Sequence, residues 1–465
     1  MSKADGAALS RLTSIVGAPH VSEDSASLEN YAIDGVVPSS IVRPTTIPEA
    51  ADVVKFAAAE KLALVACGAR TKLSMGMSPR KYDLALDLSR LNGVVAYDPG
   101  DLTLSVEAGI PLRDIAGVLA QHGQFLPLGV PFQNAATIGG TIASGVDSPF
   151  RQFYGTARDF VLGMEFITGD GSLAKSGGRV VKNVTGYDLH KLMIGAMGSL
   201  GVITRIHFRT FPAPRNPRAF LVSFERPEQA WALRQAIAES PFRPLTLDIL
   251  SPGVAELFAS SSASQRVAES YDPKMLANRR WTVTTGFGGN DKVLDRYAAE
   301  LAKMARQAGA TEIERLGEGQ IPGAFGRKRE FIPIALDSSP AAVILKVSTL
   351  PSRMKDVFAS VERAAEEDSL EWAAIARGVG VAHVALLPKD LTEGTANRVA
   401  AATEGVLAAT AAAEGSATIP WCPAEWKRSL KIWGFDRDDF AQMKKLKAFF
   451  DPGGVFSPGR FVGGI

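Results

Sequence analysis

The stretch that most constrains this chain runs from Pro127 to Phe211 and is crowded with Gly, Ala, Ser and Thr. Gly139, Gly140, Ala143, Ser144 and Gly145 follow one another with almost no bulk. Glycine opens backbone angles closed to other residues and lets a ligand approach the main chain. Consecutive exposed N–H groups in such a turn form a concave seat for an anion, most often a phosphate. Tight turns of a β-rich domain use the same residue types. A second small-residue loop, Cys67 to Gly76, shifts the balance, because two such seats suit a ligand with two phosphates.

The familiar phosphate motifs do not fit. A P-loop needs Lys and Ser or Thr after its last glycine; Gly140 and Gly145 have the spacing, but Val146 and Asp147 follow. A dinucleotide fingerprint needs G-x-G-x-x-G between strand and helix. Gly195, Gly198 and Gly201 are spaced differently, and a strand-like segment follows them. ATP hydrolysis and NAD-type binding are disfavoured.

The 465 residues suffice for two or three domains. A net charge of +2 gives no reason to expect nucleic acid or an acidic membrane surface as partner. Cys67 and Cys422 make no disulfide framework, which fits a reducing compartment. Neither belongs to a C-x-x-C pair, so no iron–sulfur cluster is expected on this chain. No stretch reaches the roughly 18–20 apolar residues of a membrane span. The first residues lack a signal-peptide core, and a cytoplasmic location is expected, with any membrane association arising through partners.

Strand, helix and strand are expected at Ser40–Val42, Thr46–Ala57 and Leu62–Ala66, the last feeding the first small-residue loop. Leu84–Leu88, Val94–Tyr97 and Leu102–Ala108 read as a meander, Pro111–His122 as a helix, and Val161–Ser176 as a hairpin around Gly169-Asp170-Gly171. Val202–Phe211 reads as a strand, and Phe211-Pro212-Ala213-Pro214 marks a boundary. Residues 215 to about 420 read as strands and helices in antiparallel order, one sheet with helices on one face. An amphipathic segment, Phe440–Phe450, is stopped by Asp451-Pro452-Gly453-Gly454.

Three linked segments carry a resemblance: ATIGGTIASG, FYGTARDFVLGMEFITGDG and GGRVVKNVTGYDLHKLMIGAMGSLGVITRIHFRTFP. They resemble the FAD-binding domain of the vanillyl-alcohol oxidase and para-cresol methylhydroxylase (PCMH) family. Within it the likeness is to the FAD-binding subunit of glycolate oxidase and the D-2-hydroxy-acid dehydrogenases. It covers residues 38 to 213 strongly and returns in LKAFFDPGGVFSPGRFV. The resemblance implies an α+β chain: a PCMH-type FAD-binding domain at 1–214, with subdomains at about 38–125 and 126–214. An α+β cap with an antiparallel sheet would follow at 215–420, and residues 421–465 would return to the first domain.

Carried across, Gly68, Ala69, Arg70, Thr71, Ser74 and Gly76 match the first pyrophosphate loop. Pro131, Thr137, Ile138, Gly139, Gly140, Ala143 and Ser144 match the second. Tyr154, Gly155 and Arg158 match a segment beside it, with Phe153 where Arg is usual, and Val202 and Ile203 match a strand passing the nucleotide. Arg460, in Ser457-Pro458-Gly459-Arg460, matches a terminal motif and could reach the cofactor or pin the tail. Relatives that hold the flavin covalently use a His in the first loop or a Cys near the second. Thr71 and Lys72 stand in the first region and no Cys lies between 127 and 211, so non-covalent FAD is expected.

A 2-hydroxy-acid substrate needs a cation for its carboxylate, where Arg is favoured, and a base for its hydroxyl. Phe325–Phe331 resembles a cap segment of relatives that would put Arg329 in the substrate region; a solvated charge run is the alternative. The five histidines form no metal-type pair, so no bound metal is expected. His383 alone falls in the cap and is the base candidate, against a packed core histidine. Tyr187, with Lys191 in the same GYDLHK run, is a catalytic candidate near the flavin, against an Asp/Tyr/Lys hydrogen-bond network that holds the fold. The expected function is oxidation of glycolate or D-lactate beside a paralogous flavin subunit and an iron–sulfur subunit. A non-catalytic FAD-binding or assembly subunit is the rival. The FAD subunit of a molybdenum hydroxylase shares A-T-I-G-G, but the Gly186–Thr204 run and the terminal motif argue against it.

Overall fold

The computed structural model describes residues 3–179, 186–260 and 280–465, which form three sheets and a two-stranded ribbon. Val180–Thr185, part of the third motif segment, lies outside the described residues. Among the described residues no helix is long and apolar enough to cross a membrane.

The helix Ile47–Ala59 starts at a capping box. Thr46 Oγ1 accepts from the Glu49 N–H, and the Glu49 carboxylate accepts from the Thr46 N–H, both at 3.3 Å. Ala50, Val53, Val54 and Ala57 bury one face against the first sheet. That sheet holds β1 (Val21–Ser22), β2 (Ser40–Val42), β3 (Leu64–Cys67) and β4 (Leu84–Asp87) in the order β1-β2-β4-β3. β2 and β3 both run parallel to β4. The expected single meander after Leu84 is therefore corrected. Leu84, Ala85 and Leu86 are all buried, as in a parallel strand covered on both faces.

The second sheet is antiparallel: β5 (Val94–Asp98), β6 (Thr103–Glu107), β8 (Val161–Ile167), β9 (Leu173–Gly177) and β10 (Val202–Arg209), ordered β5-β6-β10-β8-β9. β7 (Gln124–Phe125) pairs with β11 (Phe211–Pro212). The β8–β9 hairpin turns on Asp170, whose carboxylate accepts from Thr168 Oγ1 at 2.6 Å and the Ser172 N–H at 3.0 Å.

The third sheet has eight antiparallel strands: β12 (Arg218–Phe224), β13 (Thr246–Leu250), β14 (Trp281–Phe287), β15 (Glu312–Arg315), β16 (Val343–Ser348), β17 (Trp372–Arg377), β18 (Val381–Leu386) and β19 (Ser416–Trp421). Their order is β15-β12-β14-β13-β17-β18-β16-β19. Helices cover both faces, not one. The helices Pro227–Glu239, Asp291–Gln307, Met354–Glu367 and Glu393–Ala412 pack on one side. Pro252–Ser260 and Phe331–Ser338 pack on the other. β13, β14 and β18 are buried at every residue, so neither face could be left to water.

The helix Phe440–Phe450 leads the chain back to the first sheet. The Asp451 carboxylate accepts from Val455 N–H (2.9 Å), Phe456 N–H (2.8 Å) and Lys447 Nζ (2.7 Å). Leu64 N–H then donates to Val455 at 2.8 Å, and Ser457 N–H to Leu64 at 2.9 Å, which ties the tail to β3.

Candidate nucleotide cleft and the polar face opposite it

The two small-residue loops meet. Cys67, Gly68, Thr137, Gly139, Gly140, Ala143, Gly198 and Ile203 line one cleft. The closeness is steric fact: a Cβ on Gly68 would fall 2.2 Å from Thr137 Oγ1, and one on Gly139 2.7 Å from the Ala108 Cβ. A Cβ on Gly145 would come within 2.9 Å of the Gly195 Cα, so the 195–201 glycines serve backbone contact with this region.

The loops differ in kind. In the first, the N–H groups of Gly68, Ala69, Arg70, Thr71 and Lys72 meet no acceptor among the described residues. Arg70 takes φ 62°, in the left-handed region, a conformation that successive amides use in anion-binding turns. The second is not a nest. Residues Ile138–Ser144 are a short helix, and the Ile138 and Gly139 N–H groups donate to Ile110 (3.0 Å) and Ala108 (2.8 Å). Gly139 and Gly140, with the small side chains of Thr137 and Ala143, are what that turn presents to the cleft. Thr141 Oγ1 bonds back to Thr137 and Ser144 Oγ to Thr141, so those hydroxyls are committed. An open run of donors facing a helix turn of small residues fits a diphosphate.

Residues far away in sequence hold the first loop. The buried Arg460 guanidinium donates to the carbonyls of Leu73 and Met75, so it shapes the loop instead of reaching past it. Lys427, fully buried, donates to the Ser74 carbonyl and to Asp34, both at 2.7 Å. The Arg70 side chain turns away to Tyr31 Oη (3.0 Å) and Asp87 (3.7 Å). Gly76 has no room for a Cβ, which would meet the Arg460 carbonyl at 2.9 Å. The sequence reading missed Lys427 and Asp34. Their only signal was charge in otherwise unremarkable connectors.

At the far end of the helix Ile138–Ser144, about 10 Å along, Asp147 meets the large sheet. One face of that sheet is apolar, with Leu247, Ile249, Val283, Leu345, Ala376 and Val384. The alternate positions carry Asp248, Thr284, Lys346, Arg377 and His383 on the opposite face. Arg377 bridges Asp147 (3.2 Å) and Asp248 (3.1 Å). Lys328 Nζ bonds Asp248 at 2.8 Å and Thr284 Oγ1 at 2.6 Å. Arg151 reaches Asp147 at 3.3 Å. Lys346 and His383 stand directly opposite each other across the β16–β18 ladder.

Burial pushes the Asp147 carboxyl up, but Arg377 and Arg151 outweigh it and hold it below the usual carboxylate range. Burial takes His383 down to about 3, against the pull of Asp147, so the imidazole is neutral at physiological pH. Burial also lowers the Lys346 ammonium, with Asp147 opposing. Four cations, Arg151, Lys328, Lys346 and Arg377, face two carboxylates, Asp147 and Asp248. Lys346 has no hydrogen-bond acceptor among the described residues, so the group lacks an anion. The sequence signal for it was charge inside apolar strands, as in Val343-Ile344-Leu345-Lys346-Val347.

The other expected site residues fall elsewhere. Arg329 bonds Glu330 at 3.1 Å and lines a separate apolar groove with Leu112, Ile115, Phe125, Phe150 and Phe325. Glu330 accepts from Phe132 N–H (2.6 Å) and Gln133 N–H (3.1 Å), clasping the segment after the buried Pro131. Tyr154 sits in an aromatic cluster with Phe125, Phe150 and Phe211, and Phe150 stacks on Phe325 at 5.8 Å. A Cβ on Gly155 would strike Asp159, and Arg158 donates to the Lys191 carbonyl at 2.6 Å, so this segment braces helices. Val202 pairs with Ile167 in the sheet while Ile203 lines the cleft. The Tyr187 side chain is 89% exposed and is not brought to His383. Among the described residues no group of His, Cys, Asp and Glu could hold a metal ion.

Comparison with known proteins agrees with this geometry. The FAD binding domain family matches residues 38–177, and the family of the C-terminal domain of FAD linked oxidases matches residues 213–461. D-2-hydroxyglutarate dehydrogenase of Xanthomonas citri is 27% identical over 97% of this chain and 95% of its own length. Glycolate oxidase subunit GlcE of Escherichia coli is 38% identical over 42% of this chain and 54% of its own. Glycolate oxidase subunit GlcD of Bacillus subtilis is 22% identical over 97% and 95%. Among solved structures, p-cresol methylhydroxylase superposes with a TM-score of 0.78 at 18% identity, over 99% of this chain and 97% of its own. That likeness shows the PCMH-type fold, with mixed helices and sheets.

Proposed function

The chain belongs to the FAD-linked oxidases, its cofactor is FAD, and on that premise we propose that it oxidises a small 2-hydroxy acid such as glycolate or D-lactate. The observation that carries the reading is the unpaired Lys346 ammonium beside a neutral His383, in a group whose four cations face two carboxylates and can take a further anion. A substrate carboxylate supplies that anion. Lys346 holds it, and Arg151, half-engaged by Asp147, offers a second donor. The carboxylate's charge also raises the basicity of the imidazole beside it. His383 then accepts the hydroxyl proton. Arg377, Asp147, Asp248 and Lys328 keep these groups in place through four short contacts. Bound FAD supplies the acceptor for the hydride that leaves the substrate carbon. Arg329 acts through Glu330, on the clasp at Phe132, and does not touch the acid.

The names of the full-length relatives, hydroxyglutarate dehydrogenase and glycolate oxidase subunit, support a hydroxy-acid substrate. A glycolate oxidase-like assembly with a paralogous flavin subunit and an iron–sulfur subunit would take the electrons onward. The 38% identity to GlcE favours a second reading, in which this chain is a non-catalytic FAD-binding or assembly subunit.

The purified yellow protein is mixed anaerobically with glycolate or D-lactate. Bleaching of the flavin is the expected result; a stable yellow colour with both acids would leave the assembly-subunit reading. Lys346→Met should raise KM for the acid about 10- to 100-fold, the loss of one charge-assisted hydrogen bond. Arg329→Ala should move KM much less, and the reverse order would reassign the carboxylate to Arg329.

The flavin is expected to be non-covalent. Cys67 lines the cleft, but burial pushes its thiol well above the usual value, so it is not a nucleophile. After acid precipitation the yellow colour should stay in the supernatant; a yellow pellet would overturn this.

A further inference from the structure

The side chains of the first loop part to two sides. Arg70 goes to Tyr31 and Asp87, and Leu73 packs in the cluster of Tyr31 and Tyr82. Met75 and Lys72 go the other way. Met75 packs with Phe132 under Phe331 and Trp421, and Lys72 Nζ lies 5.6 Å from the centre of the Phe132 ring. That is the side on which the loop approaches the large sheet. The amides of Gly68 to Lys72 already provide donors for the diphosphate, so the Lys72 ammonium lies beyond them, toward the sheet.

Among the described residues this ammonium makes no ion pair. Its one side-chain hydrogen bond among the described residues is to Thr71 Oγ1 at 3.3 Å. Glu330 is the carboxylate that acts on it, but Glu330 is already bonded to Phe132 N–H, Gln133 N–H and Arg329. Burial lowers the ammonium to about 8, with Glu330 opposing, so it keeps its proton at neutral pH. A protonated amine in this enclosure is stabilised by whatever negative charge the bound ligand places there.

We propose that Lys72 faces the ring end of the bound FAD and raises its reduction potential by neutralising charge that the ring gains on reduction. The proposal rests on FAD binding alone and does not depend on the identity of the substrate.

The test measures two quantities on holoprotein: the flavin midpoint potential against reference dyes, and the FAD dissociation constant by fluorescence. Lys72→Met should lower the two-electron midpoint by about 30 mV or more, a tenfold change in the equilibrium. FAD affinity should change by less than about threefold. Lys72→Arg, which keeps the charge, should hold the potential near the parent value. An unchanged potential in Lys72→Met overturns the proposal. So does a tenfold loss of FAD affinity without a shift in potential, which would make Lys72 a diphosphate ligand. Should Lys72→Met fail to fold, Lys72→Gln and Lys72→Arg decide: equal potentials in the two refute the role of charge.

Discussion

Gly68→Ala is expected to cost at least tenfold in FAD affinity and to yield nearly colourless protein. The new Cβ would lie 2.2 Å from Thr137 Oγ1, 2.9 Å from its Cγ2 and 3.0 Å from its Cβ. Turning Thr137 about χ1 cannot clear all three atoms, so the two loops must part. The cleft depends on both, and a shift of a few tenths of an ångström separates the amide donors from the phosphate oxygens they serve. Thr137→Ala in the same chain removes two of the three clashing atoms and should restore part of the colour. The affinity is read by flavin fluorescence on the reconstituted apoprotein. Full affinity in the single variant would mean that the loops do not close on one another in solution.

The second large effect is on stability. Arg377→Met should destabilise the protein by about 3–5 kcal/mol at neutral pH, because it removes one cation from each of two buried carboxylates and leaves Asp147 with Arg151 and Asp248 with Lys328. Both Asp147 and Asp248 lose their contacts to the guanidinium, and neither can reach water. The pH dependence distinguishes this from a packing defect. In the parent, the Asp147 carboxyl is held below its unfolded value, so its stabilisation is present above the ordinary carboxylate pKa and fades as pH falls through the folded one. Without Arg377 the strongest charge opposing burial is gone, so the Asp147 carboxyl titrates higher than in the parent. The variant therefore loses less stability than the parent on acidification. Urea unfolding at several pH values should show the gap between parent and variant narrowing as pH drops toward 4. A gap independent of pH would point to lost packing alone.

Much of the first half was legible because its signals are local. Thr46 and Glu49 announce a helix start within four residues, and Asp170 a hairpin within three. The first loop was legible because nothing nearby in sequence competes for its amides. The second was misread for the opposite reason. Its donors are taken by Ala108 and Ile110, about thirty residues upstream, and no local pattern reports that. The strand β4 was misplaced because alternation identifies a strand but not its neighbour. In the large sheet, Trp372–Arg377 and Val381–Leu386 went unread as strands because alanines carry little periodic signal. Their charged members then looked like isolated residues. Only the ladder sets His383 against Lys346, and only the sheet's approach to residue 147 gives them their counter-charge.

The tail's grip on the beginning of the chain has a consequence for synthesis. The loop around residue 70 takes its shape from Lys427 and Arg460, and β3 borrows backbone bonds from residues 455 and 457. A nascent polypeptide that has not yet reached residue 427 has none of those four positions. A chain halted before residue 427 lacks both cations that shape the loop, and is expected to remain an apoprotein.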